Sequence, residues 1–193
     1  YVRNYTRENS LGEYLDLIKE AKRAVHIPVI ASINCTSVGE WTDFAKRIED
    51  AGADALELNV YYLPNDKNKD AVSYERVYFE LLSKVKELIK IPVIFKIGSQ
   101  FTNPTYITNQ LYYRNVDAVV LFNRFYAPDI DLDEMGFTSA AVFSSPGDLR
   151  NTLRWIGIVS SEVGKIHISA STGIHSGEAA IKCLLAGAQT VQV

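Results

Sequence analysis

Cysteine is scarce in this sequence: two in 193 residues, Cys35 and Cys183, with no Cys-x-x-Cys and no histidine at ligand spacing. That excludes a disulfide framework and a zinc site, and both side chains read as reduced thiols of a cytoplasmic protein. A charge excess of one sign is also lacking. A net charge of −3 leaves no basic surface to meet a phosphate backbone, so no nucleic acid is expected as a partner. Long hydrophobic runs are missing too; the longest apolar stretches, residues 91–95 and 118–122, fall far short of a bilayer's width. No basic-then-apolar leader opens the chain, so nothing in this segment points to a membrane. Nor does a Gly-x-Gly-x-x-Gly follow the first apolar segment, which counts against a dinucleotide-binding sheet.

What is present is a globular composition, 47% hydrophobic and 22% charged, read as one domain over residues 1–193 with a sizeable core. An internal repeat runs through it. "HIPVIASI" at 26–33 returns as "KIPVIFKI" at 90–97, and "GADALELN" at 52–59 is echoed by "NVDAVVLFN" at 115–123 and "GAQTVQV" at 187–193. Nearly continuous apolar segments of this length suit parallel strands covered on both faces. They predict strands over 27–34, 54–60, 91–98, 117–123, 165–170 and 189–193.

Between them lie helical spacings of apolar residues: Tyr14, Leu17, Ile18, Ala21 and Val25; Trp41, Phe44, Ala45 and Ile48; Val77, Leu81, Leu82, Val85 and Leu88. Asn103-Pro104 reads as an N-cap and first turn, and Gly52 and Gly187 as helix C-terminal glycines. Strict alternation of strand and helix allows a (β/α)₈ TIM barrel or an open doubly wound sheet, and the missing glycine fingerprint favours the barrel. On that reading the chain holds the last six strands of an α/β barrel and is a fragment.

In such barrels chemistry gathers where the strands end. Three predicted strands end in asparagine, Asn34, Asn59 and Asn123, and carboxamides suit a ligand rich in amide or imide groups. Lys96 interrupts "PVIFKIG", a costly place for an ammonium unless it meets a negative charge or a strong acceptor. After the fifth predicted strand, Ala170, Ser171, Thr172 and Gly173 form a loop of small residues leading into a helix whose first turn includes Ser176 and Glu178. A strand, a small-residue loop and a helix N-terminus together make a backbone cradle for a phosphate.

The segments "ADALELNVYYLPN", "IPVIFKIGS", "AVVLFNRFY", "FSSP" and "ASTGIHSGEAAIKCLLAGAQTVQV" resemble, in words, order and spacing, the dihydroorotate dehydrogenase family over nearly the whole chain. The resemblance implies an FMN-containing barrel that oxidises a small pyrimidine-like substrate such as dihydroorotate, in pyrimidine biosynthesis. It places Lys96 beside the flavin's pyrimidine edge, and Asn59, Asn65 and Asn123 on the substrate, Asn123 also touching the flavin. It puts Ser144 and Ser145 at a turn near the flavin, and the loop from Ala170 through Ser171, Thr172 and Gly173 to Ile174 at its phosphate. A homodimer is compatible with it.

The sequence departs from the family's pattern at three places. Where the family carries a Cys or Ser that takes the substrate proton, "NVYYLPN" offers Tyr62 or Leu63. Leucine is no base, whereas tyrosine, titrating at about 10, is a poor base but a workable acid, which makes Tyr62 the catalytic candidate. Arg124 stands where the family has a hydroxyl residue and can clamp a carboxylate with two parallel hydrogen bonds. Ala170, Ser171 and Thr172 replace glycines. Two other readings stay open: a relative that binds FMN without turnover or acts on a different substrate, and a cofactor-free barrel isomerase or lyase using the same cradle for a phosphorylated substrate. His26 and His167, at strand starts, read as structural; His175, Tyr61 and Tyr126 lie on rim loops. "LPNDKNKDAVSYER", residues 63–76, reads as a mobile loop over the site.

Overall fold

The structure is a computed structural model that describes residues 2–34, 38–124, 128–139 and 143–193; Cys35 and Tyr126 lie outside them. The chain forms two compact units, Tyr1–Phe95 with Tyr113–Asp117, and Lys96–Tyr112 with Ala118–Val193.

The first unit runs α1 (Val2–Ala24), β1 (Ile30–Ile33), α2 (Val38–Asp50), β2 (Ala55–Asn59), α3 (Ala71–Leu88) and the opening residues of β3 (Val93–Ile97). β1 and β2 are parallel, in register from Ile30 opposite Ala55 to Ile33 opposite Leu58. β2 lies between β1 and β3, and Leu56 N–H donates to Pro92 O at 2.9 Å. Largely apolar segments make these strands because their side chains fill a covered sheet. Trp41, Ala45 and Ile48 of α2 and Leu81, Leu82 and Val85 of α3 are fully buried, as their spacing predicts.

Several details differ from the helical spacing. Leu17, Val25 and Leu88 are exposed, while Leu11 in α1 and Tyr78 in α3 are buried; Tyr78 packs its ring against Phe95 at 6.1 Å between centroids. The aromatic ring covers more of the sheet than a leucine and takes the central place on the helix face. Residues 71–76 are helix rather than loop, because the Asp70 side chain accepts Ser73 N–H at 2.8 Å and starts α3 there.

The second unit holds the end of β3, α4 (Pro104–Tyr112), β4 (Ala118–Leu121), the hairpin β5 (Pro128–Asp131) and β6 (Gly136–Ser139), a 3₁₀ turn (Pro146–Asp148), α5 (Leu149–Glu162), β7 (His167–Ala170), α6 (Gly177–Leu185) and β8 (Thr190–Val191). Its strand order is β3-β4-β7-β8. β4 and β7 run parallel from Ala118 opposite His167 to Leu121 opposite Ala170, and β7 and β8 from Ser169 opposite Thr190. Asn103 Oδ1 accepts Tyr106 N–H at 2.9 Å and Pro104 opens α4, the cap that the sequence signals. Gly52 and Gly187 take φ of 95° and 118° at helix ends, a backbone that favours glycine.

Parallel strands alternating with helices make this the α/β architecture of a (β/α)₈ barrel, with the six predicted strands present. The antiparallel hairpin β5–β6 is an addition that the apolar pattern does not reveal, since its strands are short and exposed. Among the described residues no helix is long and apolar enough to cross a membrane.

Candidate functional site

In the second unit the carboxyl ends of β3, β4, β7 and β8 open onto a cavity of about 610 Å³. β3 alternates, with Val93, Phe95 and Ile97 buried and Ile94 and Lys96 half-buried on the other face. A lysine in that register needs an acceptor. Gln192, just past β8, provides it: Lys96 Nζ donates to Gln192 Oε1 at 2.8 Å, and both side chains line the cavity. Arg124, just past β4, adds a second fixed positive charge, and no acidic side chain is among the lining residues. The cavity therefore favours an anionic or electron-rich ligand.

The opposite wall is the loop after β7. Ser171, Thr172, Gly173 and Ile174 all line the cavity. Thr172 has φ of 78° and Gly173 of 85°, so the loop turns sharply, and a β-branched residue in the left-handed region is under strain. Thr172 is held there by its hydroxyl, which donates to Phe122 O at 2.8 Å. Thr152 Oγ1, from α5, donates to Ser171 O at 3.2 Å.

A side chain on Gly173 would meet the backbone nitrogen of Leu149, with Leu149 Cα at 2.7 Å. The small residue at 173 is thus required by the start of α5, which packs directly on the loop. Ser144 braces the loop: its Oγ accepts Gly173 N–H at 3.1 Å and lies 3.1 Å from His175 Nε2. The neighbouring Ser145 serves the 3₁₀ turn, donating from its backbone N–H to Asp148 at 2.7 Å and from its hydroxyl at 3.1 Å. That N–H is the main reason the Asp148 carboxyl is held below its ordinary range; burial opposes it, and the Ser145 hydroxyl, Arg124 and His175 add to it.

The structure thus gathers Lys96, Arg124, Ser144, Ser171, Thr172, Gly173 and Ile174 around one cavity. Ala170 is fully buried at the end of β7, and its carbonyl accepts Gln192 N–H at 2.8 Å. Asn123 donates its N–H to Ile97 O at 2.7 Å and lines a neighbouring cavity of about 430 Å³, which Arg124 and Thr172 border as well.

Asn34, Asn59, Tyr62 and Asn65 belong to the first unit. Asn59 closes β2. Half-buried Tyr62 sets its ring edge-on to Tyr78 at 5.8 Å and donates its N–H to the Tyr78 hydroxyl at 3.4 Å. Asn65 is exposed in the following loop, its N–H on Leu63 O at 2.9 Å. Asn34 borders a separate cavity with Tyr14 and Ser32. Behind it, Glu57 is a buried carboxylate that accepts the Ser32 hydroxyl at 2.8 Å. The sequence reading misses Glu57, Gln192 and the Ser144–His175 contact. Gln192 carries the same signal as Lys96, a polar residue breaking an apolar strand.

The sequence profile of the dihydroorotate dehydrogenase family matches residues 7–193. The chain belongs to that family. Similar curated proteins carry the name dihydroorotate dehydrogenase B (NAD(+)), catalytic subunit. The one from Thermoplasma volcanium is 29% identical over 189 residues, 95% of this chain and 60% of that protein. The one from Thermoplasma acidophilum is 27% identical over 188 residues, again 95% of this chain, and 61% of that protein. A solved structure of DHODH from Eimeria tenella in complex with ferulenol superposes with a TM-score of 0.67 at 14% identity, covering 95% of this chain and 57% of that one. That likeness speaks for the shared fold. The chain spans about three-fifths of the length of these relatives. The family is flavin-dependent, and the cavity lining offers two cations, Lys96 and Arg124, and the hydroxyl residues Ser144, Ser171 and Thr172, groups of the kind that hydrogen-bond a phosphate or a carbonyl.

Proposed function

We propose that this chain is the catalytic part of an FMN-dependent oxidoreductase that acts on a CH–CH bond of a small pyrimidine-like acid, dihydroorotate or a close analogue. The observation that carries the reading is the Lys96–Gln192 pair, set on the positively charged wall of a cavity at the strand ends of a dihydroorotate dehydrogenase relative. FMN, when bound, would supply the redox chemistry. The rest falls to the chain. The Lys96 ammonium favours electron density next to it, and Gln192 fixes its direction. The hydroxyls of Ser144 and Ser171 and the turn at Thr172–Gly173 hold a phosphate. Arg124 takes the substrate's carboxylate through two parallel hydrogen bonds, and Asn59, Asn65 and Asn123 read the amide and imide edges of its ring. Tyr62 handles the proton in place of the family's Cys or Ser.

The relatives are named as catalytic subunits, and this chain is taken to act within an assembly, with another subunit or a second copy of itself. The β5–β6 hairpin supports an interface, because Leu132, Met135 and Phe137 are 79%, 82% and 87% exposed and clustered apolar side chains at that exposure mark contact sites. The test is reconstitution. Purified protein mixed with FMN and desalted should stay yellow, and Lys96→Ala should retain the flavin but be reduced at least tenfold more slowly by substrate, on the order of one lost charge contact. Protein that stays colourless after reconstitution refutes the proposal and points to a cofactor-free use of the cradle.

A further inference from the structure

The neighbouring cavity of about 430 Å³ lies between the end of β4 and the first turns of α5. Arg124, Arg150 and Arg154 are among its lining residues, together with Asn123 and Asn151, and the three from α5 are exposed. One acid, Asp148, is among its lining residues, and that carboxylate already accepts two hydrogen bonds from Ser145.

The two arginines of α5 are placed against their own interest. Arg150 and Arg154 are four residues apart and share a helix face, where like charges repel. Arg150 also sits in the first turn of α5, at the positive end of the helix dipole, and that turn carries no acidic residue. Among the described residues neither has a hydrogen-bond or ion-pair partner. Three cations around one hollow, two of them without a counter-charge, form an arrangement that an anion relieves. Guanidinium forks beside carboxamide donors fit the planar oxygens of a carboxylate or the tetrahedral oxygens of a phosphate.

We propose that this cavity is a second binding site, for the carboxylate or phosphate group of a small acid, held by Arg150 and Arg154 with Asn151. Because Arg124 and Thr172 border both cavities, the acid group has two sources with one chemistry. It is either the far end of a molecule that also occupies the first cavity or a separate anion beside it. The site stands on its own lining and does not depend on the flavin reading.

Calorimetric titration of the intact protein with citrate at low salt tests it. The wild type should bind citrate, more weakly as sodium chloride is added. The variant Arg150→Gln/Arg154→Gln should bind at least about tenfold more weakly, with its melting temperature and flavin content unchanged. No measurable citrate binding by the wild type, or equal binding by the double variant, overturns the proposal. Repeating the titration with saturating orotate separates the sources: competition that the double variant loses assigns the group to the substrate, and undiminished citrate binding assigns it to a separate anion. Colourless protein that still binds citrate through these arginines would refute the flavin reading and leave this site intact.

Discussion

Gly173 shows how one residue can carry two demands. Its φ of 85° disfavours a side chain, and the space a Cβ would take is already held by the backbone of Leu149. Gly173→Ala should therefore cost roughly 2 kcal/mol or more, the range for strained and overpacked positions. Chemical denaturation measures this, and a loss of a few tenths would show that α5 yields to the methyl group. The need for a small residue was legible in "ASTG"; its cause was not, because Leu149 lies 24 positions earlier and only folding brings it there. Lys96 was legible for the opposite reason, since a charge inside an apolar strand announces itself locally, while its partner Gln192 is 96 residues away. Tyr62 was found by its place in a motif. If it is the proton-handling group, Tyr62→Phe should lower kcat by about 10²-fold, the scale of general acid–base catalysis, with flavin absorbance unchanged. Wild-type turnover in that variant would remove it from the mechanism.

At the scale of elements, the internal repeat proves to be a repeated device. Lys22 and Val29 N–H both donate to Asp54, at 2.6 Å each. Lys86 and Val93 N–H both donate to Asp117, at 2.7 Å each. In the third echo, Gln189 Oε1 accepts Ile168 N–H at 2.7 Å, an amide standing where the others have a carboxylate. Each clamp fixes the start of a strand to the residue preceding the next one, and so helps set register. The words of the repeat were visible in the sequence, and the clamp explains why Asp, Asp and Gln hold equivalent places in them.

The Asp54 carboxyl is held below its ordinary range, first by the Lys22 ammonium and then by the Val29 N–H, with burial opposing. A depressed folded-state pKa contributes stability above the ordinary carboxylate range, and that contribution is lost as pH falls through the folded value. Asp54→Asn should accordingly unfold at lower urea than wild type at about pH 7, with the two converging by about pH 3. A constant difference across that range would mean that the charge on Asp54 is immaterial. The β5–β6 hairpin was not legible, because two strands of four residues joined by a turn and left exposed carry no burial pattern to detect.

For the whole molecule, β/α alternation and the motif order across the chain pointed to a dihydroorotate dehydrogenase relative, and the family match over residues 7–193 agrees. Two units each carry part of the predicted constellation. The second holds the cation-lined cavity and the first holds Asn59, Tyr62 and Asn65. A spectroscopic titration reads the proposed chemistry directly. The intact protein, reconstituted with FMN and kept anaerobic, is titrated with dihydroorotate while its visible absorbance is recorded. The account predicts stoichiometric bleaching of the oxidised flavin bands as substrate is added. Bound flavin that dithionite bleaches but dihydroorotate leaves fully oxidised would contradict it.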